Sequence, residues 1–218
     1  MLIAKEQLEI SQLITGLYLG CFDPVHNAHV DIPLKTLKYY KLDRIIYIPT
    51  GLSPVGKKPY SSNKDRINML ENALSQHQSL YVSDYELKLK NICYTVNTIK
   101  YFKKKYPKHM LRLIVGEDNF RLFSIWYKYL EIINLVNIIV LIRDNTMSCG
   151  NMETLKDFIT NDIDLFNESS SNKIHYFNGY KSNISSTMIR DNVRNGKSVK
   201  EYVTADNFKY IVEKNLYK

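Results

Sequence analysis

Short apolar runs alternate along the chain with longer segments of helical periodicity. Six runs have the length and the Ile, Val, Leu and Tyr content of buried strands, at residues 17–19, 44–49, 80–83, 111–115, 137–142 and 174–177. The segments with helical periodicity between them are residues 28–40, 63–76, 95–106 and 119–133. Apolar strands joined by crossovers of this length predict an α/β fold built on a doubly wound, mostly parallel sheet. Such sheets bind ligands outside the carboxyl ends of their strands.

The alternation changes in the last third of the chain. Residues 144–173 are rich in Asn, Ser and Asp, and predict an insertion with a helix over 152–159 and a mobile loop at 168–172. Residues 185–218 predict a C-terminal helical tail. The two helices expected in this tail span residues 185–195 and 206–216.

Residues 1–15 form an N-terminal extension before the first predicted strand. Its apolar positions fit an amphipathic first helix: Leu2, Ile3, Leu8, Ile10, Leu13 and Ile14. The extension lacks the basic start and apolar core of a signal peptide. No internal repeat and no linker interrupts the chain, so we expect a single domain over residues 1–218.

Composition excludes several classes of protein. Of the 218 residues 44% are apolar, which is enough for a core and argues against global disorder. No apolar run approaches the roughly 18–20 residues of a membrane helix. The cysteines Cys21, Cys93 and Cys149 show no CxxC spacing and are odd in number. This usage predicts a reducing compartment, the cytoplasm, and leaves a nuclear location open.

The formal net charge of +8 has two interpretations. Basic proteins bind polyanions, including nucleic acid, but lysines also simply coat protein surfaces. The one dense run, Lys103 to Lys105, precedes Pro107 and fits a solvated helix end. A basic nucleic-acid-binding module is therefore the least favoured interpretation.

Residues suited to catalysis or to phosphate binding concentrate after the first predicted strand, where residues 20–29 have the sequence GCFDPVHNAH. Gly20 allows a sharp turn or a close backbone approach to a ligand, and Asp23 could cap the helix that follows. His26 and His29 share one face of that helix's first turn, with Cβ atoms roughly 5–6 Å apart. Two imidazoles beside the N–H groups of a helix N-terminus suit a phosphate. In isolation the pair would fit two surface histidines, and a zinc site would need a third ligand.

This loop resembles the (T/H)xGH signature of the nucleotidyltransferase superfamily. Within the superfamily it is most similar to the GGTFDPPHxGH loop of nicotinate and nicotinamide mononucleotide adenylyltransferases. The chain departs from that pattern at Leu19, where Gly is usual, and at Ala28, which is still small enough for close approach to a nucleotide. Pantetheine-phosphate and cytidylyl branches usually have another residue where His26 stands.

Further segments in the same order extend the resemblance over residues 15–202. They are IPTGLSPVGKK at 48–58, which lacks the family's His; the R-x-x-M-L helix with Arg66, Met69 and Leu70; CYTVNT at 93–98, with Asn97 where Asp is usual; GEDN at 116–119, followed by Trp126; and ISSTMIR at 184–190, without departure.

The resemblance implies a Rossmann-like fold and the transfer of AMP from ATP to nicotinic acid mononucleotide. The products would be nicotinic acid adenine dinucleotide (deamido-NAD) and pyrophosphate. The implied catalytic residues are His26, His29 and Arg190. The implied ATP-binding residues are Gly20, Cys21, Phe22, His26, His29, Gly116, Asp118, Ile184, Ser185, Ser186, Thr187 and Arg190. The implied mononucleotide-binding residues are Tyr94, Thr95, Asn97, Trp126 and Lys57.

In this scheme Asp118 would accept the ribose hydroxyls of adenosine, and Trp126 would stack on the pyridine ring. Taken without the resemblance, Ser185 to Thr187 fit a plain helix N-cap, and a lone Trp is more often a core residue.

The resemblance also implies Mg²⁺, which accompanies ATP; no protein ligands for it are assigned. The implied partners are the small-molecule substrates, without nucleic acid or membrane, and a homo-oligomer stays open. Two alternatives of the same class remain. Asn97 and the missing His leave nicotinamide mononucleotide open as acceptor, and another (T/H)xGH enzyme, such as pantetheine-phosphate adenylyltransferase, would share the fold.

Overall fold

The computed structural model describes residues 12–54, 56, 58–142, 153–179 and 182–218. All six predicted strands are present, each within three residues of its predicted limits. They are β1 Ile14–Gly20, β2 Arg44–Pro49, β3 Leu80–Val82, β4 Met110–Gly116, β5 Asn137–Leu141 and β6 Ile174–Phe177. They form one parallel sheet in the order β3-β2-β1-β4-β5-β6. The doubly wound α/β prediction is confirmed.

Helices cover both faces of this sheet. The described α-helices are α1 Asn27–Tyr39, α2 Asn63–Leu74, α3 Thr95–Lys105, α4 Glu117–Phe120, α5 Tyr129–Leu135, α6 Ile163–Glu168, α7 Ser186–Arg194 and α8 Ala205–Glu213. None of them is long and apolar enough to cross a membrane, within the part of the chain that the structure describes.

The sheet separates two apolar cores because alternate residues of each strand point to opposite faces. Tyr18 and Tyr47 belong to the core under α1, α2, α7 and α8. Leu17 and Ile46, one position earlier, belong to the core under α3 and α5. Both sets are apolar, and so these strands appear in the sequence as continuous apolar runs.

Three predicted elements are wrong in detail. Ile14 and Thr15 belong to β1, so they are not part of a first helix; residues 1–11 lie outside the described residues. The single helix predicted over 119–133 is broken into α4, a 3₁₀ turn and α5, with Lys128 at φ 55° just before α5. Residues 153–158 form a 3₁₀ helix, and α6 was not predicted.

The loop predicted to be mobile at 168–172 is held by buried polar side chains of two central strands. Arg112 donates to the carbonyls of Asn167 and Ser169, at 3.1 and 2.8 Å. Asn137 donates to the Ser169 carbonyl and accepts from the Lys173 N–H, both at 2.9 Å. Residues 144–152 of the predicted insertion lie outside the described residues.

The strand order determines where along the sheet a ligand-binding crevice can form. β1 lies between β2 and β4, so the chain winds one way to β3 and the other way to β6. The loops after β1 and β4 therefore diverge at the carboxyl edge of the sheet, where a ligand can enter.

Candidate active site

The two histidines of the first loop stack on each other at the start of α1. His26 is the N-cap of this helix, and its backbone N–H donates to His29 Nδ1 at 3.3 Å. The ring centroids lie 3.6 Å apart with an interplanar angle of 21°. Because Nδ1 of His29 accepts, its proton resides on Nε2, which makes Nε2 a donor. The expectation that Asp23 caps this helix is wrong.

A cluster of buried aromatic side chains contacts His29. Phe22 packs edge-on against its ring at 5.2 Å, and Tyr18 lies 6.3 Å away. The Tyr47 hydroxyl donates to the His29 carbonyl at 2.8 Å. A Cβ on Gly20 would meet the Phe22 ring at 2.9 Å, so this position needs glycine. Phe22 is 2% exposed, so this residue belongs to the buried support of the loop.

The C-terminal helix α7 meets this loop through hydrogen bonds. Arg190 donates to the Asp23 carbonyl at 2.7 Å and to Thr187 Oγ1 at 3.0 Å. Ser186 Oγ donates to the Pro24 carbonyl at 2.9 Å. These bonds join residues that are more than 160 positions apart in the sequence. The Ser186 hydroxyl and the Arg190 guanidinium are thus hydrogen-bonded to the loop itself.

The beginning of α7 also has an ordinary capping role. Ser185 Oγ accepts from the Met188 N–H at 3.1 Å, which confirms it as the N-cap. Ile184 is half-buried against the core beneath the helix. Thr187 is exposed at the helix start. The first-turn N–H groups of this nine-residue helix can bind an anion.

The Asp23 side chain makes a second set of contacts that hold the first loop in place. Its carboxylate, 1% exposed, accepts from the backbone N–H groups of Tyr60 and Ser61. The Ser61 hydroxyl and the Tyr217 hydroxyl, the latter at 2.7 Å, donate to the other carboxylate oxygen. Sequence reasoning missed Ser61 and Tyr217, because no local pattern connects either residue with the first loop.

Arg66 connects the first loop with the end of β2. Its buried guanidinium donates to the Cys21 carbonyl at 3.2 Å and to the Thr50 carbonyl at 2.8 Å. A third bond, at 2.7 Å, reaches Asn63 Oδ1. The motif containing Arg66 therefore sets the spacing of two loops that border the crevice.

A cavity of about 320 Å³ opens beside this loop. Gly20 and Cys21 line it at the end of β1, and Thr95 lines it at the start of α3. Trp126, half-buried, forms another part of the wall and packs against Phe123 at 5.3 Å. The size and the mainly apolar wall suit an aromatic ring of a small molecule.

A buried carboxylate, that of Glu86, and the Cys93 thiol also line the cavity. Glu86 is 2% exposed and accepts from the Gly51 N–H at 3.1 Å and from Thr98 Oγ1 at 2.6 Å. Burial raises the pKa of the Glu86 carboxyl above its ordinary value. Burial, followed by the Glu86 charge, also raises the pKa of the Cys93 thiol, which therefore stays protonated at neutral pH.

The segment after β4 forms the far side of the crevice. Gly116 is the N-cap of the short helix α4. Among the described residues, no atom lies within 4 Å of the position that a Cβ on Gly116 would take, so the backbone borders open space. Asp118 is exposed on this helix, whereas Glu117 is buried and paired with Arg121 at 2.7 Å. Asp118 is thus the carboxylate of this segment that faces solvent.

Two predicted mononucleotide residues, Tyr94 and Asn97, do not line the cavity among the described residues. Tyr94 instead packs on Tyr127, a wall residue, at 4.5 Å between ring centroids. Asn97 is exposed on α3. Lys57 lies outside the described residues.

The described residues contain no group of three or more His, Cys, Asp or Glu side chains arranged to hold a metal ion. Asp23, three residues before His26, has both of its carboxylate oxygens occupied by the four donors given above.

Comparison with known proteins gives one consistent family. Residues 17–192 match the cytidylyltransferase-like family. The probable nicotinate-nucleotide adenylyltransferase of Aquifex aeolicus is 36% identical over 77% of this chain and 96% of its own. That of Clostridium botulinum strain Loch Maree is 32% identical over 96% of this chain and 100% of its own.

A solved structure shows the same fold at lower identity. The Plasmodium falciparum nicotinic acid mononucleotide adenylyltransferase complexed with NaAD superimposes with a TM-score of 0.67 at 19% identity, covering 94% of this chain and 97% of that one. The chain therefore belongs to the cytidylyltransferase-like family, in its branch of nicotinate-nucleotide adenylyltransferases. The first-loop and ISSTMIR motifs and the shared fold agree with this assignment.

Proposed function

We propose that the protein transfers AMP from ATP to nicotinic acid mononucleotide, releasing pyrophosphate and forming nicotinic acid adenine dinucleotide. One observation carries the proposal: the stacked His26 and His29 and the guanidinium of Arg190 converge on one loop, beside an apolar cavity with a tryptophan wall. The names of the relatives and the NaAD bound in the Plasmodium falciparum enzyme support the same reaction.

The reaction needs positioned charge and no protein nucleophile. A phosphate oxygen of the mononucleotide attacks the α-phosphorus of ATP, and the bond from that phosphorus to the bridging oxygen of the β-phosphate breaks. Nε2–H of His29 and the N–H groups at the start of α1 donate to the α-phosphate oxygens, which carry charge in the transition state. Arg190 and the start of α7 stabilise the β- and γ-phosphates as pyrophosphate leaves.

The cavity beside the loop takes the acceptor. Trp126 stacks on the pyridine ring, and the N-terminus of α3 at Thr95 binds the ring's carboxylate through its N–H groups and hydroxyl. Asp118, exposed at the end of β4, accepts hydrogen bonds from the adenosine ribose. Gly116 leaves room for the nucleotide to approach the backbone.

Mg²⁺ enters with ATP as part of the substrate, bound to phosphate oxygens and water. This fits the donor set, since Asp23 is fully engaged by protein donors. We also propose a cytoplasmic location, which agrees with the reduced thiol of Cys93.

The test is a competition assay with MgATP and equal concentrations of nicotinic acid and nicotinamide mononucleotides, with separation of the two dinucleotides. We expect nicotinic acid adenine dinucleotide to form faster. A faster yield of NAD would keep the enzyme class and contradict the carboxylate assignment at Thr95. Failure of a folded sample to form either dinucleotide would refute the proposed function, and phosphopantetheine would be the next acceptor to test.

A further inference from the structure

The residues after α8 return to the catalytic loop. α8 ends in a Schellman motif, in which the N–H of Leu216 bonds the Ile211 carbonyl at 3.1 Å and that of Asn215 bonds the Val212 carbonyl at 3.2 Å. The motif reverses the chain, so that Tyr217 is directed back under the loop. Its ring is 8% exposed, and its hydroxyl donates to Asp23 Oδ1 at 2.7 Å.

The backbone of Tyr217 is held in an unfavourable conformation. Asn215 has φ 50° and Tyr217 has φ 68°, both in the left-handed region, which Asn adopts readily as the C′ residue of a Schellman motif. A bulky residue such as Tyr seldom adopts that region, and it persists only where surrounding contacts fix it. For Tyr217 those contacts are the Asp23 carboxylate, the Ser61 hydroxyl at 3.5 Å and Met69 Sδ at 3.8 Å.

Asp23 transmits this contact to the catalytic groups. Its own carbonyl accepts from Arg190, and the carbonyl of the next residue, Pro24, accepts from Ser186. His26 follows three residues after Asp23 and caps α1. A shift of the Asp23 side chain would thus move both the histidine pair and the guanidinium. Burial raises the pKa of Tyr217 well above its ordinary value, so the hydroxyl remains a donor throughout the working pH range.

We propose that Tyr217 is a positioning residue for the nucleotidyl transfer: by holding the Asp23 carboxylate, it fixes the loop that carries His26 and His29. This inference rests on the proposed function for its effect on turnover. Its effect on loop order is independent of which acceptor the enzyme uses.

The chain supplies a matched control. Tyr210, on α8, also donates its hydroxyl to a carboxylate, Asp65 Oδ1, at 2.8 Å. That contact ties α8 to α2 and does not involve residues 20–29. Tyr217→Phe and Tyr210→Phe therefore remove the same chemical group and the same type of bond at two distances from the site.

The experiment measures kcat, both KM values, melting temperature and hydrogen exchange of a peptide covering residues 20–29. For Tyr217→Phe we expect a loss in kcat of about 10-fold or more, as for a lost hydrogen bond to a charged group. We expect the KM for nicotinic acid mononucleotide to stay within about 2-fold, because neither Tyr217 nor the residues that its hydroxyl contacts line the cavity. Exchange in residues 20–29 should be faster.

Tyr210→Phe should lower the melting temperature similarly and leave kcat and loop exchange near wild type. Equal kcat losses in both variants, or loop exchange in Tyr217→Phe equal to wild type, would overturn the inference. If Tyr217→Phe does not fold, Ser61→Ala removes another donor to the same carboxylate and must show the same kcat and exchange pattern. Absence of dinucleotide with the wild-type protein would refute the proposed function, while the exchange result would still decide on Tyr217.

Discussion

Replacement of His29 by alanine separates the catalytic part of the first loop from its structural part. The imidazole has one role that the structure shows and one that the proposed function assigns to it. Nδ1 accepts from the His26 N–H at 3.3 Å, which closes the start of α1, and Nε2–H is the donor assigned to the α-phosphate. Loss of a helix-capping bond costs about 1 kcal/mol. Loss of one preorganised donor to a transition-state oxyanion costs about 3–4 kcal/mol, or 10²–10³ in kcat.

We therefore expect His29→Ala to melt about 2–4 °C below wild type and to turn over about 100- to 1,000-fold more slowly. ATP affinity should change little, since the remaining phosphate contacts are present in the ground state. The assay is pyrophosphate release at saturating substrates, with ATP binding measured by calorimetry and stability by thermal melting.

His29→Gln separates the two effects. Gln at this third helical position can accept from the N-cap N–H, as in a capping box, and so restores stability. It does not restore the imidazole donor, and turnover should stay low. His77→Ala, in the turn after α2, is the unaffected histidine control. A kcat for His29→Gln within about 3-fold of wild type would refute the assignment of Nε2–H to the transition state.

Three further outcomes test other parts of the structure. Trp126 is the only tryptophan, so its emission should change on titration with nicotinic acid mononucleotide; an unchanged spectrum at saturation would contradict the stacking assignment. Because Glu86 has a raised pKa, its ionised form costs stability above that pKa and none below the ordinary value. The stability of Glu86→Gln relative to wild type should therefore rise with pH in urea titrations, and a constant difference would contradict this. Asn137→Ala should lose about 1–3 kcal/mol by urea unfolding, because it leaves the Lys173 N–H without its acceptor and removes one of the donors to the Ser169 carbonyl; a loss well under about 1 kcal/mol would contradict that role.

The strands could be predicted from the sequence because each is covered on both faces. In β2, Ile45 and Tyr47 enter one core while Ile46 and Ile48 enter the other, so four consecutive apolar residues mark the strand. This pattern requires no knowledge of neighbouring elements, and the boundaries were therefore found within three residues.

The break in the predicted helix over 119–133 could not be read in the same way. Phe120, Phe123, Ile132 and Ile133 all face one core, and their spacing keeps helical periodicity across the break. The left-handed conformation of Lys128 carries no compositional signal, because Gly is the residue that usually marks this conformation. Likewise, the Asn- and Ser-rich composition of 168–172 indicates a loop but not the Arg112 and Asn137 bonds that fix it.

The sequence identified the first loop and ISSTMIR as functional through their resemblance to a family, but not how they connect. Ser186 and Arg190 reach the loop through its carbonyls, which are acceptors at every residue and so leave no mark in a motif. Tyr217 and Ser61 were missed because their partner, Asp23, could equally have been a helix cap.

These contacts agree with the reaction proposed for the site. In that reaction no covalent intermediate forms on the protein, so the rate depends on holding two anionic phosphates in line, and a displacement of about 1 Å can cost 100-fold. The loop at 20–29 is held by Arg190 and Ser186 from α7, by Tyr217 after α8, and by the Tyr202 carbonyl, which accepts from the Asn27 N–H at 2.9 Å. The C-terminal helical tail therefore completes the catalytic loop, and residues that never touch a substrate should influence turnover more than affinity.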